Sequence, residues 1–234
     1  MEYLRECAKQ LDIDISNQQL EQFDIYYEML IERNKVMNLT AITEKREVII
    51  KHFLDSIAIL RYADFKSDKV LDIGTGAGFP GIPLKIVRPD IELTLLDSLN
   101  KRINFLNDVI AELKLEKVNT IHGRAEDYAR DKEYRNQFDY VVSRAVANLS
   151  TLTEYCLPYV KMGGYFISYK SGNINEELEN SKNAIFLCGG KCEKVQDFML
   201  PKSDMERTFV YINKVKNTPK QYPRKSGTPS KNPL

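Results

Sequence analysis

The sequence predicts an α/β fold: a mostly parallel, doubly wound sheet of seven strands with one antiparallel strand, preceded by a helical region. Three observations predict it. From Asp68 onward, short β-rich runs alternate with helical ones, the pattern of strands joined by crossover helices. The last two strand candidates have no helix between them, so they form a hairpin and one runs antiparallel. Residues 1 to about 63 carry only helical apolar spacing.

The elements follow in order. Gln18 to Met37 sets Leu20, Phe23, Tyr27, Leu30 and Ile31 at steps of three and four, an apolar helical stripe. Glu47 to Leu60 repeats the pattern with Ile49, Phe53, Ile57 and Leu60, and Thr43 is placed to cap its start. The strand candidates are Lys69–Ile73, Glu92–Asp97, Lys117–His122, Phe138–Ser143, Tyr165–Lys170, Lys191–Met199 and Thr208–Lys214. Helices are expected over Ile82–Val87, Lys101–Leu113, Ser150–Val160 and Asn175–Leu187. Gly163-Gly164 and Gly189-Gly190 mark turns before strands. The end, rich in proline and basic residues, should lack regular structure unless it is bound or packs on the body. The expected division is a helical region (1–63), a ligand-binding α/β domain (64–216) and a basic tail (217–234).

Composition excludes several classes. With 43% hydrophobic and 29% charged residues, 234 residues suit a globular protein with a real core. No stretch approaches the roughly 20 apolar residues of a membrane span. The acidic start lacks a signal peptide's apolar core, so a cytoplasmic location without a membrane partner is expected. Cys188 and Cys192 are the only close cysteines, and with two histidines in the chain no metal site is expected. Seven Lys or Arg and no acid follow Glu206, which leaves the first 206 residues at a net charge of −6. Such a tail suits either a polyanionic partner or simple solvation.

The chemistry lies at three strand ends. Lys69 to Ile73 runs into Gly74-Thr-Gly76-Ala-Gly78-Phe79-Pro-Gly81. Glycines there permit positive φ and a close backbone approach to a ligand. Gly74, Gly76 and Gly78 fit a methyltransferase loop, while Gly76, Gly78 and Gly81 fit a dinucleotide fingerprint. Asp97, closing the second strand, can accept hydrogen bonds from the ribose hydroxyls of either cofactor. Ala125-Glu126, past the third strand, suits an adenine edge and its amino group, an element expected of an S-adenosylmethionine enzyme and not of a dehydrogenase. Asp72 favours the same side, although it could simply anchor loop N–H groups.

Ser143 to Asn148 carries no (D/N)PP(Y/F) sequence, and Cys156 lies in a predicted helix, so neither an exocyclic-amine nor a cysteine-nucleophile mechanism is indicated. A ring nitrogen with a free lone pair, such as guanine N7, needs no base; proximity then carries catalysis. No catalytic acid, base or nucleophile is assigned. Arg144 ends a strand inside an apolar run, so it needs a polar or anionic partner, with a ligand or RNA favoured over an internal ion pair. His52 and Asp55 share one helix face, where they bond each other, cap backbone or meet substrate.

The sequence resembles the bacterial RsmG family, also called glucose-inhibited division protein B. The match covers NKVMNLTAIT (Asn34–Thr43), HFLDSI (His52–Ile57), DIGTGAGFPGIPL (Asp72–Leu84), LLDSLNKRINFL (Leu95–Leu106), GRAED (Gly123–Asp127), SRAVA (Ser143–Ala147) and the terminal YPRKSGTPSKNPL. The resemblance implies a class I (Rossmann-like) methyltransferase that moves a methyl group from S-adenosyl-L-methionine to N7 of guanosine 527, in the 530 loop of 16S ribosomal RNA. It implies Gly74, Phe79, Ala125, Glu126 and Arg144 at the cofactor, to which the strand-end argument adds Gly76, Gly78 and Asp97. Lys101 and Arg102 sit at a helix start near that cleft, and Arg224 and Lys225 follow Tyr222-Pro223; all four are candidate RNA contacts. The partner is then 16S rRNA or the 30S particle, with no obligate protein partner evident. A small-molecule methyltransferase and a non-catalytic RNA-binding protein remain as alternatives.

Overall fold

The computed structural model describes residues 1–234. Two helices come first, α1 (Glu2–Lys9) and α2 (Asn17–Met37), the second opened by a capping box of Ser16 and Gln19. A continuous helical run follows over 45–61. It begins as α3 (Lys45–Val48), widens to a π-helical turn over Ile49–Leu54, and returns through α4 (Asp55–Ile57) to a 3-10 turn at Ala58–Arg61. Its cap is the Glu44 side chain on the Glu47 N–H, one residue past the expected Thr43.

The sheet comprises β1 (Lys69–Ile73), β2 (Glu92–Asp97), β3 (Val118–His122), β4 (Phe138–Arg144), β5 (Val160–Ser171), β6 (Gly190–Met199) and β7 (Glu206–Lys214), in the order β3-β2-β1-β4-β5-β7-β6. The first five strands pair in parallel, whereas β7 is antiparallel to both β5 and β6. The hairpin expectation therefore resolves to β7 as the reversed strand. The connecting helices are α5 (Gly81–Val87), α6 (Asn100–Glu112), α7 (Ala125–Tyr128), α8 (Leu149–Cys156) and α9 (Asn175–Leu187). Gly163-Gly164 does not precede β5 but lies inside it, because the strand starts at Val160.

Alternation along the strands divides the core in two. Val70, Leu93, Leu95, Val142, Ile167 and Phe209 face α5, α6 and the N-terminal helices in one cluster. Leu71, Leu96, Val141, Phe166, Val210 and Ile212 face α7, α8 and α9 in the other. Both faces are covered, as a mainly parallel sheet requires. Packing crosses the boundaries near residues 63 and 216: Leu4, Phe23 and Phe53 share a cluster with Val70, and Tyr222 shares one with Val141. The basic end packs on the body and includes the short helix α10 (Thr228–Lys231).

Candidate active site

Strand order reverses between β1 and β4, so their carboxyl ends border the crevice where open α/β sheets bind ligands. Two clefts open there. The first, about 320 Å³, is lined by Gly74, Asp97, Arg102, Ala125, Glu126 and Tyr155 among others. The second, about 470 Å³, is lined mainly by polar groups, including Lys51, His52, Asp55, Arg144, Lys170 and Arg207. Ala145, directly after β4, lines both. Its φ of 57° is left-handed and costs an alanine roughly 1 kcal/mol, strain held at the junction of the clefts.

The glycine loop is built from beneath. Gly74, Gly76 and Gly78 have φ of 71°, 62° and 105°, which side-chain-bearing residues rarely adopt. Asp72 is fully buried; its Oδ2 accepts the Thr75 hydroxyl at 2.7 Å and the Gly81 N–H at 2.9 Å. Burial raises its carboxyl to about 7, against the lowering effect of those two donors. Asp72 is thus the loop's anchor. Asp97, 2% exposed, ties the loop to α6: Oδ2 accepts from Gly76 N–H (2.9 Å) and Arg102 Nη1 (3.2 Å), Oδ1 from Leu99 N–H (2.9 Å). A carboxylate has about four acceptor positions, so one remains unused.

Of the eight residues expected at the cofactor, Gly74, Asp97, Ala125 and Glu126 line the first cleft. Gly76 and Gly78 shape the loop instead; a Cβ on Gly78 would stand 2.6 Å from the Tyr26 hydroxyl. The Phe79 ring turns away. It is 8% exposed and stacks on His52 at 4.7 Å, with Tyr26 at 5.5 Å. Arg144 lies over that ring, 5.3 Å from its centre, and lines the second cleft but not the first. The resemblance implied Phe79 at the cofactor through its ring or backbone, and Arg144 at the cofactor's mouth or facing RNA; the ring packs on His52 and Tyr26, and the Arg144 guanidinium pairs with the buried Asp55.

The second cleft centres on Asp55, which is 5% exposed. Its Oδ2 accepts from Arg144 Nη1 at 2.9 Å and its Oδ1 from Arg207 Nε at 2.8 Å. It does not bond His52. Lys170, also lining this cleft, donates to Glu177 at 2.7 Å. His52 Nε2 meets the Thr40 hydroxyl at 2.8 Å, while burial and the Arg144 charge lower the imidazole to about 4, so it is neutral at pH 7. Thr40 is itself placed by a two-way clasp with Asn34. The π-helical turn carries Lys51 and His52 to this wall, a distortion frequent at functional sites.

Sequence reasoning missed Arg207, counted only as tail charge, and the Asn34–Thr40 clasp. The signal for the first was Asp55 itself, a carboxylate in an otherwise apolar helical run. Of the four candidate RNA contacts, Lys101 and Lys225 are exposed. Arg102 is partly engaged by Asp97. The Arg224 guanidinium clasps the fully buried Glu154, so part of its charge is engaged inside the fold. With Arg207 on Asp55 and Lys214 buried, three of the seven tail cations are engaged inside the fold.

The first cleft falls in the size range of small-molecule sites, and its lining includes Gly74 and Gly123 together with the carboxylates of Asp97, which ends β2, and Glu126, on α7. The chain matches the family profile described as rRNA small subunit methyltransferase G (GidB) over residues 19–208. It is 58% identical to the Ribosomal RNA small subunit methyltransferase G of Lachnoclostridium phytofermentans, over 97% of this chain and 94% of that one. The protein of the same name from Clostridium novyi is 50% identical over 99% and 96%. Among solved structures, a putative S-adenosyl-L-methionine-dependent methyltransferase from Methanococcus maripaludis gives a TM-score of 0.55 at 17% identity, covering 82% of this chain and 93% of its own. TrmN from Thermus thermophilus gives 0.53 at 15%, covering 68% and 48%. These two likenesses concern the fold alone: a Rossmann-like methyltransferase sheet. Sequence and profile together place the chain in the rRNA small subunit methyltransferase G (GidB) family.

Proposed function

We propose that the chain transfers a methyl group from S-adenosylmethionine to N7 of guanosine 527, in the 530 loop of 16S ribosomal RNA, acting on the rRNA or the 30S particle in the cytoplasm. The observation that carries this reading is the meeting of two clefts at Ala145: an adenosine-type cleft over the glycine loop, and a polar one lined by Arg144, Arg207, Lys51 and Lys170. Family membership supports the rRNA substrate.

The donor supplies an electrophilic methyl on a sulfonium. Bound in the first cleft, it would give that methyl to the N7 lone pair and leave as a neutral thioether, the positive charge passing to the base. No proton leaves N7, so no base is required. The protein's part is alignment. Gly74 and the loop would hold the donor, Asp97 and Glu126 would hold its adenosine end, and the Arg144–Asp55–Arg207 group would face the target nucleotide. The second cleft's cations suit a phosphate or a guanine oxygen.

Labelled S-adenosylmethionine incubated with the protein and 30S particles or naked 16S rRNA, followed by mapping of the modified nucleotide, tests the proposal. Label at one guanine N7 of the 530 loop is the expected result. Label elsewhere refutes the specificity, and no transfer to any RNA refutes the substrate class.

A further inference from the structure

The chain's C-terminal segment reaches Glu126, which lines the first cleft, and its neighbour Asp127. The Ser226 hydroxyl donates to Asp127 Oδ1 at 2.7 Å, and the Gly227 N–H donates to Glu126 Oε1 at 2.8 Å. Consecutive residues of the segment thus hold consecutive residues of α7.

The segment is pinned on both sides of these bonds. Before them, Arg224 grips Glu154 through Nε and Nη2 at 2.7 to 3.1 Å, and its backbone N–H adds a bond of 2.6 Å. Glu154 is wholly buried on α8, next to Tyr155, which lines the cleft. Arg135 donates to the carbonyls of Thr218 and Tyr222, and Arg130 to that of Pro223. After them, the Thr151 hydroxyl donates to the Pro229 carbonyl at 3.0 Å.

Glu126 is only 4% exposed, and it lines the cleft. Its Oε1 is taken by Gly227. Its Oε2 accepts no hydrogen bond from the protein, yet it is not sealed inside the fold. A carboxylate with one oxygen fixed and the other open to a cleft is an oriented acceptor. Adenine offers a donor there in its 6-amino group; hypoxanthine offers a carbonyl oxygen, which a carboxylate repels.

We propose that the C-terminal segment is part of the adenine pocket: the Gly227 N–H fixes Glu126 so that Oε2 accepts from the 6-amino group of the donor's base, and the Arg224–Glu154 pair holds the segment in place. This rests on the reading of the first cleft as the donor site. Gly227 and Arg224 are then positioning residues, and the basic end serves base selection in addition to any contact with RNA.

Two variants perturb the segment differently. Gly227 has φ of 82°, and no atom lies within 4 Å of where a Cβ would stand, so Gly227→Ala acts through the backbone alone. A chain ending at Arg224 keeps the pair with Glu154 but loses Ser226 and Gly227. Binding of S-adenosylhomocysteine and of S-inosylhomocysteine is measured for both and for the full chain, well below each melting temperature. The full chain is expected to prefer the amino compound by at least about 10-fold, the worth of one charge-assisted hydrogen bond. Both variants should shrink that ratio several-fold, mainly by weakening the adenosyl compound, an effect that general destabilisation does not produce. An unchanged ratio in folded Gly227→Ala overturns the proposal, whatever the fate of the shorter chain. A full chain that binds both compounds equally overturns the role of Glu126 while leaving the donor site intact. A full chain that binds neither removes the donor reading and this inference with it.

Discussion

The Asp55 carboxylate accepts from Arg144 at 2.9 Å across 89 residues of sequence, joining the π-widened helix to the end of β4. Because its other oxygen holds Arg207, one buried acid sets the position of two cations in the second cleft. Asp55→Asn would keep the shape and remove the charge. Transfer to RNA should fall on the order of 100-fold, with S-adenosylhomocysteine affinity unchanged, because the residue does not line the first cleft, the proposed donor site. Single-turnover kinetics and a binding titration check the two halves; a parallel loss of donor affinity would contradict the separation of the clefts.

The glycine loop should respond differently at two positions. A Cβ on Gly78 meets Tyr26, Ile82 and Leu106 within 2.6 to 2.9 Å at a φ of 105°. Gly78→Ala should therefore lose about 3 kcal/mol in urea unfolding. A Cβ on Gly74 meets only the side chain of Val146, which is 41% exposed and free to swing. Gly74→Ala should cost about 1 kcal/mol, yet weaken S-adenosylhomocysteine binding by about 10-fold or more, since both residues line the first cleft, the proposed donor site.

His52 predicts a pH effect. Its imidazole is lowered from 6.5 to about 4, first by burial and then by Arg144. The folded state therefore favours the neutral ring. That stability is fully present above pH 6.5 and is lost as pH falls from 6.5 through about 4, amounting to at most about 3 kcal/mol. Between pH 7 and about pH 4.5 the wild type should lose about 2 kcal/mol more than His52→Gln in urea unfolding. Equal losses would show that the ring gains its proton without cost.

The basic residues should divide into two groups. Arg224→Ala leaves the buried Glu154 charge unpaired and should cost about 3 to 5 kcal/mol. Lys101→Ala and Lys225→Ala, on side chains that reach solvent, should change stability by less than about 0.5 kcal/mol but weaken RNA binding and reduce its logarithmic salt slope by about 1 each. Salt titrations of RNA affinity beside urea curves separate the groups.

The strand-turn-helix unit was readable because its determinants are local. β1 and β2 have the bounds that apolar runs ending in Ile73 and Asp97 predicted, and three loop glycines take the positive φ their spacing implied. What escaped is nonlocal. Arg224 reads as a free cation until its partner, 70 residues earlier in the apolar helix TLTEYCL, is brought beside it. Asp55 announces a buried partner, but nothing in the sequence says that it has two. Phe79 follows the glycines directly, yet its ring direction depends on His52 and Tyr26 packing behind the loop.

The two hydrophobic clusters make the start and the end of this chain the covers of opposite sheet faces. Neither face is sealed by the crossover helices alone. Heat should therefore meet one cooperative body: calorimetric and van't Hoff enthalpies should coincide, with no separate melting of the helical region. The same arrangement sets the order of damage under limited proteolysis. A nick on either side of the sheet strips apolar strands bare, so cleaved material should aggregate rather than persist as a trimmed enzyme.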